Sequence, residues 1–359
     1  MANRTVVPFG PQHPVLPEPI HLDLVLEDEK VVEAIPSIGF IHRGLEKLVE
    51  KRDFIDYVYV AERICGICSF MHGMGYCMAV ENVMGIEIPR RADFLRTTLA
   101  ELSRIHNHTM WMGLLADAFG FESLFMHSWR VREIVLDVFE NITGGRVIFS
   151  VCKVGGMRRD IDAAQAEMLL TALDRVEKEL EPLISAFSQE YTVLHRLTGV
   201  GVLSKQAALD LGALGPMLRA SGWSLDTRKL GYAAYNDLSF DPIVETAGDC
   251  MARTQVRIRE TLQSIDLIRQ AVPKFPQGDI AAPVKGTPSG EFFARLEQPR
   301  GEAIYYVRGN GTRHLDRFRV RTPTFANVPA LVQTLQGCQL ADVPMLVLTI
   351  DPCISCTER

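Results

Sequence analysis

Apolar and polar residues alternate over short segments near both ends of the chain, and each of these regions predicts a β-hairpin. In the first, residues 21–26 place a leucine at every second position, and a charged turn separates them from residues 31–35. In the second, residues 303–309 and 317–322 lie around Gly309-Asn310-Gly311, a sequence typical of hairpin turns. The β structure of this chain is therefore expected to be small and peripheral.

Between the hairpins, apolar residues recur with the period of about 3.6 residues that is typical of helices. Glycines and prolines mark the ends of the helices that we predict, which cover about residues 65–85, 89–118, 123–142, 160–197 and 241–273. Pro182 predicts a kink or a break inside the fourth helix. Asp241-Pro242 predicts the start of the fifth, with Asp as N-cap and Pro at the first helical position. The predicted fold class is mainly α: a central bundle of long helices, with small β elements near the N- and C-terminal regions.

Composition and charge narrow the possible functions. The chain has 359 residues, 47% of them hydrophobic, and can bury a large core. Its net charge of −6 argues against nucleic acid as a partner. We see no secretory signal, and no apolar run approaches the roughly 18–20 residues that span a bilayer. We therefore expect a cytosolic chain without a transmembrane segment, in which paired cysteines indicate metal or redox chemistry more often than disulfides.

Two Cys-x-x-Cys pairs lie at opposite ends of the chain. Cys65 and Cys68 form the first pair, and Cys353 and Cys356 form the second, three residues before Arg359. A chain end normally frays unless something holds it, and a metal shared by the two pairs would do so. The spacing predicts a four-thiolate site for zinc, an iron–sulfur cluster, copper(I) or nickel. On spacing alone, structural zinc is the ordinary interpretation of a four-cysteine set.

The helical and β patterns divide the chain into three predicted regions. These are an N-terminal hairpin and loop region (1–60), a helical core (61–275) and a C-terminal α/β region that returns to the metal site (276–359).

The residues around both pairs resemble a known family. Arg63-Ile64-Cys65-Gly66-Ile67-Cys68 with His72, and Asp351-Pro352-Cys353 with Cys356, are similar to the paired signatures of [NiFe] hydrogenase large subunits. Four further motifs resemble those shared by energy-converting (group 4) hydrogenases and the quinone-site core subunit of respiratory complex I: Gly10-Pro11-Gln12-His13-Pro14, His42-Arg43-Gly44-Leu45-Glu46-Lys47, Pro299-Arg300-Gly301-Glu302 and Arg319-x-Arg321-x-Pro323-x-Phe325. The similarity runs from residue 8 to residue 359, and the compact length resembles the Ech and CO-induced branch.

This resemblance implies reversible interconversion of H2 with two protons and two electrons, by heterolytic cleavage at a Ni–Fe centre whose iron carries CO and cyanide. All four cysteines would bind nickel. Cys68 and Cys356 would bridge to the iron, while Cys65 and Cys353 would be terminal ligands, with Cys353 as the nearest base.

Four other residues receive roles from the same resemblance. Glu46 would be the first carboxylate of the proton path, provided that burial raises its pKa toward neutrality. Arg300 would donate hydrogen bonds to cyanide, Asp351 would hold Arg300, and His72 would donate to a bridging sulfur. Each also has an ordinary interpretation: Glu46 on a solvated helix face, Arg300 in a structural salt bridge, and His72 as a core histidine.

The resemblance implies partner subunits as well. With four cysteines used for nickel, no further set suggests an iron–sulfur cluster in this chain. Electrons would leave through a small [4Fe–4S] subunit and a ferredoxin-like subunit. Integral membrane subunits would move ions, and this chain would be peripheral, on the cytoplasmic side of the cell membrane.

Three alternatives remain open at this point. A complex I-like quinone-binding subunit would lack the four cysteines and typically carries a second histidine after the His-Pro of its first hairpin, whereas here Val15-Leu16-Pro17-Glu18 follows His13-Pro14. A zinc-stapled structural protein would be distinguished by metal analysis. A soluble, cofactor-reducing [NiFe] hydrogenase would be distinguished by its copurifying subunits.

Overall fold

The computed structural model describes residues 4–359, which form a mainly helical protein with three small antiparallel sheets. The strands are β1 (Arg4–Phe9), β2 (His21–Glu27), β3 (Lys30–Ser37), β4 (Cys152–Lys153), β5 (Gly156–Met157), β6 (Ser289–Gln298), β7 (Gly301–Asn310) and β8 (Leu315–Arg321). The α-helices are α1 (Leu45–Leu48), α2 (Tyr57–Glu62), α3 (Ser69–Met84), α4 (Arg90–Ala118), α5 (Glu122–Thr143), α6 (Ala163–Gln189), α7 (Tyr191–Leu197), α8 (Lys205–Asp210), α9 (Gly215–Arg219), α10 (Cys250–Ala271), α11 (Pro323–Leu335), α12 (Val343–Thr349) and α13 (Ile354–Glu358).

Both predicted hairpins are confirmed, and each belongs to a three-stranded sheet. The first sheet has the order β1-β2-β3 and the second β6-β7-β8. The alternation in β2 buries Leu22, Leu24 and Leu26 on one face. Strand β6 was not predicted, because its first five residues are exposed and carry no alternation of buried and exposed positions. Its pairing with β7 is decided by the partner strand.

The helical pattern is confirmed for α4 and α5 and corrected elsewhere. Helix α3 begins at Ser69, so both cysteines of the first pair precede it. Pro182 does not interrupt α6, which continues to Gln189 and is separated from α7 by Glu190 in an extended conformation. The long pattern therefore breaks eight residues after the proline. Within residues 4–359, no helix is both long and apolar enough to cross a lipid bilayer.

The predicted start of the fifth helix at Asp241 is wrong. Helix α10 begins at Cys250, and the side chain of Asp249 caps it by accepting a hydrogen bond from the Ala252 N–H at 2.7 Å. Gly248 precedes this cap in the left-handed conformation, at φ 68°, which a continuous helix cannot contain. Residues 241–249 are a loop.

Helix α4 occupies the centre of the fold and is buried along most of its length. It packs against α5 and α10 on its sides and also contacts α3 and α12. Strands β6 and β7 pack on α3, while α11 contacts both α12 and α13. These contacts bring the end of the chain beside the start of α3, so the expectation that the two cysteine segments meet is confirmed.

Candidate metal centre

Four cysteine sulfurs converge where the start of α3 meets the last turn of the chain. The Sγ atoms of Cys68 and Cys356 are 3.4 Å apart, and those of Cys65 and Cys353 are 3.5 Å apart. Those of Cys65, Cys68 and Cys356 all lie within 4.8 Å of one another. All four cysteines are buried and none is in a disulfide. Each close pair joins one sulfur from each end of the chain.

The local backbone aims both pairs inward. Sγ of Cys65 accepts hydrogen bonds from the Ile67 and Cys68 N–H groups, both at 3.3 Å. These bonds hold the first cysteine loop in a tight turn. In the second segment, Asp351 adopts a left-handed conformation at φ 55°, and the chain turns there between α12 and α13. The Cys353 N–H then donates to Oγ1 of Thr324 at 3.1 Å. Two unrelated turns thus present sulfurs to the same point.

The sulfurs share their protons unequally. Hydrogen bonds from the other three cysteines lower the pKa of Cys65 well below its ordinary value, whereas burial raises that of Cys68 well above it. Four buried thiolates cannot coexist without a compensating positive charge, since like charges in a low-dielectric site oppose one another's ionisation. A bound soft metal cation provides that charge, so the donor set fits a metal centre.

Arg300 lies beside the sulfurs on the turn between β6 and β7. Its Nη2 is 2.9 Å from Oδ1 of Asp351, and its Nε donates to the Asp351 carbonyl oxygen at 2.8 Å. Oδ2 of Asp351 accepts from Nδ2 of Asn107 at 2.8 Å, which fixes the carboxylate. Burial alone would lower the pKa of Arg300, but the charges of Asp351 and of the cysteines raise it well above its ordinary value. The guanidinium is therefore a permanent, oriented cation.

One donor of Arg300 has no partner in the part of the chain that the structure describes. Its Nη1 is buried and forms no hydrogen bond within residues 4–359. A buried donor left unpaired is costly, commonly by about 1–3 kcal/mol, so such an atom usually faces a ligand or a water molecule. This orphaned donor fits a polar group bound next to the sulfurs.

His72, on the first turn of α3, reaches the same cluster. Its Nε2 lies 3.3 Å from Sγ of Cys356. Oη of Tyr305 lies 3.0 Å from Nδ1 of His72 and accepts from Nε2 of Gln298 at 2.7 Å. Burial lowers the pKa of His72 to about 3, so the ring is neutral. A neutral ring carries one proton, and the tautomer with that proton on Nε2 would donate to the sulfur while Nδ1 accepts from Tyr305.

Sequence reasoning missed Tyr305, Gln298 and Asn107. Tyr305 was recognised only as part of a strand, and Asn107 lies within a long helix. No local signal distinguishes these residues from ordinary core positions.

Glu18 is the most consequential residue that the sequence did not single out. Its carboxylate accepts from the N–H groups of Ile354 and Ser355, the latter at 2.8 Å, and from Oγ of Ser355 at 3.2 Å. Its Oε1 is 3.9 Å from Sγ of Cys353. Burial and the charge of Cys353 raise the pKa of Glu18 to about 7. The available signal was a lone carboxylate between Pro17 and Pro19 in a loop otherwise poor in charge.

Glu46 lies in a different environment from the one expected. Its carboxylate pairs with Nη1 of Arg319 at 2.8 Å and Nε of Arg359 at 2.7 Å, and it accepts from the Val320 N–H at 2.9 Å. Burial alone would raise the pKa of Glu46, but these hydrogen bonds outweigh it and lower the pKa. The condition for the proton-path role, a pKa raised toward neutrality, is therefore not met at Glu46. None of its hydrogen-bond partners in the described chain is a cysteine.

Glu62, which precedes the first cysteine loop, offers a test of burial in this region. It is buried at the end of α2 and accepts from Oγ of Ser150 at 2.9 Å, and burial raises its pKa from 4.5 to about 7. The folded protein thus keeps this proton to higher pH than the unfolded chain, so the carboxyl reduces stability as pH rises from 4.5 toward about 7. The effect of Glu62→Gln on the free energy of unfolding should therefore be more stabilising at about pH 8 than at about pH 5, by roughly 2–3 kcal/mol.

Urea unfolding of the purified protein at the two pH values measures this difference. The exposed Glu181→Gln is the control, and it should show no such pH-dependent gain. Equal effects of Glu62→Gln at both pH values would contradict the raised pKa.

Comparison with known proteins decides the family. A family model described as "Respiratory-chain NADH dehydrogenase, 49 Kd subunit" matches residues 118–287 and 283–359, and one described as "Nickel-dependent hydrogenase" matches residues 43–117. The chain belongs to the family of complex I 49 Kd subunits and group 4 hydrogenase large subunits. The resemblance seen in its motifs is thereby confirmed.

Individual members of this 49 Kd and hydrogenase family match over nearly the whole chain. The carbon monoxide-induced hydrogenase of Rhodospirillum rubrum is 39% identical, over 98% of this chain and 99% of the relative. Membrane-bound hydrogenase subunit alpha of Pyrococcus furiosus is 37% identical, over 98% and 87%. A chain of the solved structure of the membrane-bound sulfane sulfur reductase, an archaeal respiratory membrane complex, is 32% identical with a TM-score of 0.95, over 99% of both chains. The family is one of oxidoreductase subunits whose named members use different substrates, so the chemistry of this chain must be argued from its own site.

Proposed function

We propose that this chain is the catalytic large subunit of an energy-converting [NiFe] hydrogenase that interconverts H2 with two protons and two electrons. The observation that supports this most is the convergence of four buried sulfurs beside a buried arginine whose Nη1 is unpaired among residues 4–359. When bound, a nickel–iron group carrying CO and cyanide would supply the position at which H2 is split heterolytically.

The four sulfurs divide into roles by their neighbours. Cys65 and Cys353 would bind nickel terminally, and Cys68 and Cys356 would be shared with iron. The hydrogen bond from His72 to Cys356 supports the bridging role, because a donor to a thiolate withdraws charge from the sulfur and tunes the metals that it binds.

Arg300 would orient the iron ligands. With Nε and Nη2 held by Asp351, its Nη1 is left to donate to a cyanide nitrogen. The guanidinium also places positive charge beside the reacting position, where it lowers the cost of negative charge that develops during the reaction.

The proton path begins at the second cysteine pair. Sγ of Cys353 would accept the proton and pass it to Oε1 of Glu18, 3.9 Å away. The resemblance assigned this role to Glu46, but the contacts favour Glu18, because Glu46 is paired with Arg319 and Arg359. A proton carrier must accept and release protons near working pH, and a carboxylate held by two guanidinium groups is a poor acceptor.

Partner subunits complete the proposed function. We propose that electrons leave through a small [4Fe–4S] subunit toward a ferredoxin-like subunit. We propose further that integral membrane subunits use the reaction to move ions, with this chain peripheral on the cytoplasmic side. The names of the relatives support an assembly of this kind, since they include a membrane-bound hydrogenase subunit and a respiratory membrane complex.

Metal analysis with infrared spectroscopy, on protein purified without oxygen from its native host, tests the proposal. We expect about one nickel and about one iron per chain, the pair that four thiolates of this arrangement can share, together with CO and cyanide stretching bands. Zinc, or no metal, with those bands absent, would contradict the hydrogenase function.

A quinone-binding subunit is the second candidate, favoured by the 49 Kd family match over residues 118–359. It leaves the convergence of four sulfurs unexplained. Metal-free protein that binds a quinone analogue would support it, whereas zinc without quinone binding would support the structural alternative.

Arg300→Lys separates orientation from metal binding. Lysine keeps the positive charge but lacks the forked guanidinium. In the arginine, that fork holds Asp351 and leaves Nη1 available for another acceptor. We expect hydrogenase activity to fall by about 100-fold, while the metal content is retained. The cyanide bands in the infrared spectrum should also shift. Arg295→Lys, an exposed arginine on the neighbouring strand, is the control, and equal activities of the two variants would refute the role of Arg300.

A further inference from the structure

The last turn of the chain rests on a loop that precedes α1, which we call the clasp loop (residues 38–43). The carboxylate of Glu358 accepts hydrogen bonds from the N–H groups of Gly39 and Ile41, both at 2.5 Å. Glu358 is only 5% exposed. A carboxylate gripped by two backbone donors makes strong, charge-assisted hydrogen bonds.

Two side chains of the clasp loop extend the contact. Nδ1 of His42 donates to the carbonyl oxygen of Glu358 at 2.6 Å. The guanidinium of Arg43 donates to the carbonyl oxygens of Arg63 and Ile64, at 2.9 and 2.8 Å, and of Ser355 at 3.0 Å. The first two carbonyls precede Cys65, and the third lies between Cys353 and Cys356. One arginine therefore joins the two segments that carry the cysteines.

Contacts with the clasp loop hold the last turn in position, together with those that Glu18 makes to the N–H groups of Ile354 and Ser355. Helix α13 has five residues, too few to be stable by itself. A crevice of about 230 Å³ separates part of it from the clasp loop, and its lining includes Gly39, His42 and Glu358. The interface is thus polar and incompletely packed, so it can open locally without unfolding the core.

We propose that Glu358 and Arg43 are positioning residues that close the last turn against the first cysteine loop and set the spacing between the two cysteine pairs. This inference rests on the metal site of the proposed function but not on the hydrogenase reaction. Metal is retained while the clasp is closed, and opening it releases Cys353 and Cys356 first, because they lie on the segment that moves.

The test compares Glu358→Gln with Glu50→Gln, and Arg43→Gln with Arg63→Gln. Glutamine at 358 turns an amide donor toward a backbone N–H, and glutamine at 43 cannot span three carbonyls. Glu50 and Arg63 are matched controls, because their side chains bind only Lys47 and the Tyr59 carbonyl, respectively, within the described chain.

Two rates are measured on the purified protein: loss of its bound metal to a chelator, and alkylation of each cysteine by iodoacetamide, read by peptide mass spectrometry. In both clasp variants, we expect metal loss and alkylation of Cys353 and Cys356 to be roughly tenfold faster or more, from the loss of charge-assisted hydrogen bonds. Cys77 and Cys152, which are buried in the core, should react at their wild-type rates.

Rates equal to those of the controls would overturn the proposal. So would equal acceleration at all cysteines, since that would indicate general destabilisation. Arg43→Lys keeps the charge with fewer directed donors and should give intermediate rates; it also serves if Arg43→Gln does not fold. The thiolate-to-metal absorption band should change in Arg43→Gln and be partly restored in Arg43→Lys, which general destabilisation would not produce. Zinc in the wild-type protein would refute the hydrogenase function. The two rates would still decide whether Glu358 and Arg43 hold the last turn closed.

Discussion

Cys356→Ser is expected to abolish bound nickel and iron and to lower hydrogenase activity by about 1,000-fold or more. The loss should be this large because removing a group that only orients a metal ligand already costs roughly 10–100-fold. Sγ of Cys356 lies 3.4 Å from Sγ of Cys68 and 3.3 Å from Nε2 of His72, so it links the two cysteine segments and the histidine. A serine hydroxyl keeps its proton at neutral pH and is a hard oxygen donor, so it cannot replace a shared soft thiolate.

Metal content per chain, the infrared bands and H2 evolution with an artificial electron donor would all be measured. Cys338→Ser is the control, because Cys338 is half-buried and its backbone pairs with Val31 outside the sulfur cluster. Full metal content and activity in Cys356→Ser would remove this cysteine from the centre and with it the four-thiolate site.

Glu18→Gln is expected to lower hydrogenase activity by about 100- to 1,000-fold while leaving the metals and the infrared bands in place. Glutamine has nearly the same shape and can still accept from the Ile354 and Ser355 N–H groups, so the last turn should remain docked. It cannot take up a proton from Sγ of Cys353, which in the wild-type protein lies 3.9 Å from the carboxylate. The loss should therefore fall on proton transfer.

Glu46→Gln is the informative comparison, with activity expressed per bound nickel. Its carboxylate already pairs with Arg319 and Arg359, so we expect a much smaller loss of activity per nickel than in Glu18→Gln. Isotope exchange between D2 and water, which requires proton transfer but no partner subunit, separates this step from electron transfer. Loss in Glu46→Gln with full activity in Glu18→Gln would return the proton role to Glu46.

Much of the fold was predictable, because the spacing of apolar residues in a sequence follows the periodicity of its helices and hairpins. The boundaries of α4 and α5 follow from spacing and from the residues that end them. The start of α10 was not predictable in the same way, because Asp241-Pro242 has the sequence of a helix start but lies in a loop, and the residue that caps the helix is Asp249. The structure favours Asp249, whose carboxylate also accepts from the Gly199 N–H at 2.8 Å, a contact between residues 50 positions apart.

The features of the candidate site likewise fall into those that the sequence could predict and those that it could not. Sequence by itself determined the two cysteine pairs and, through its motifs, the family; the resemblance then singled out His72, Arg300 and Asp351, because such motifs are local and their residue types are chemically specific. Only the tertiary structure decided which carboxylate faces Cys353, that Tyr305 lies against Nδ1 of His72, and that Arg43 joins both cysteine segments. The physical reason is that a pKa and a hydrogen bond depend on which groups are neighbours in space. Glu18 and Cys353 become neighbours across 335 positions of chain, a distance over which no local pattern carries information.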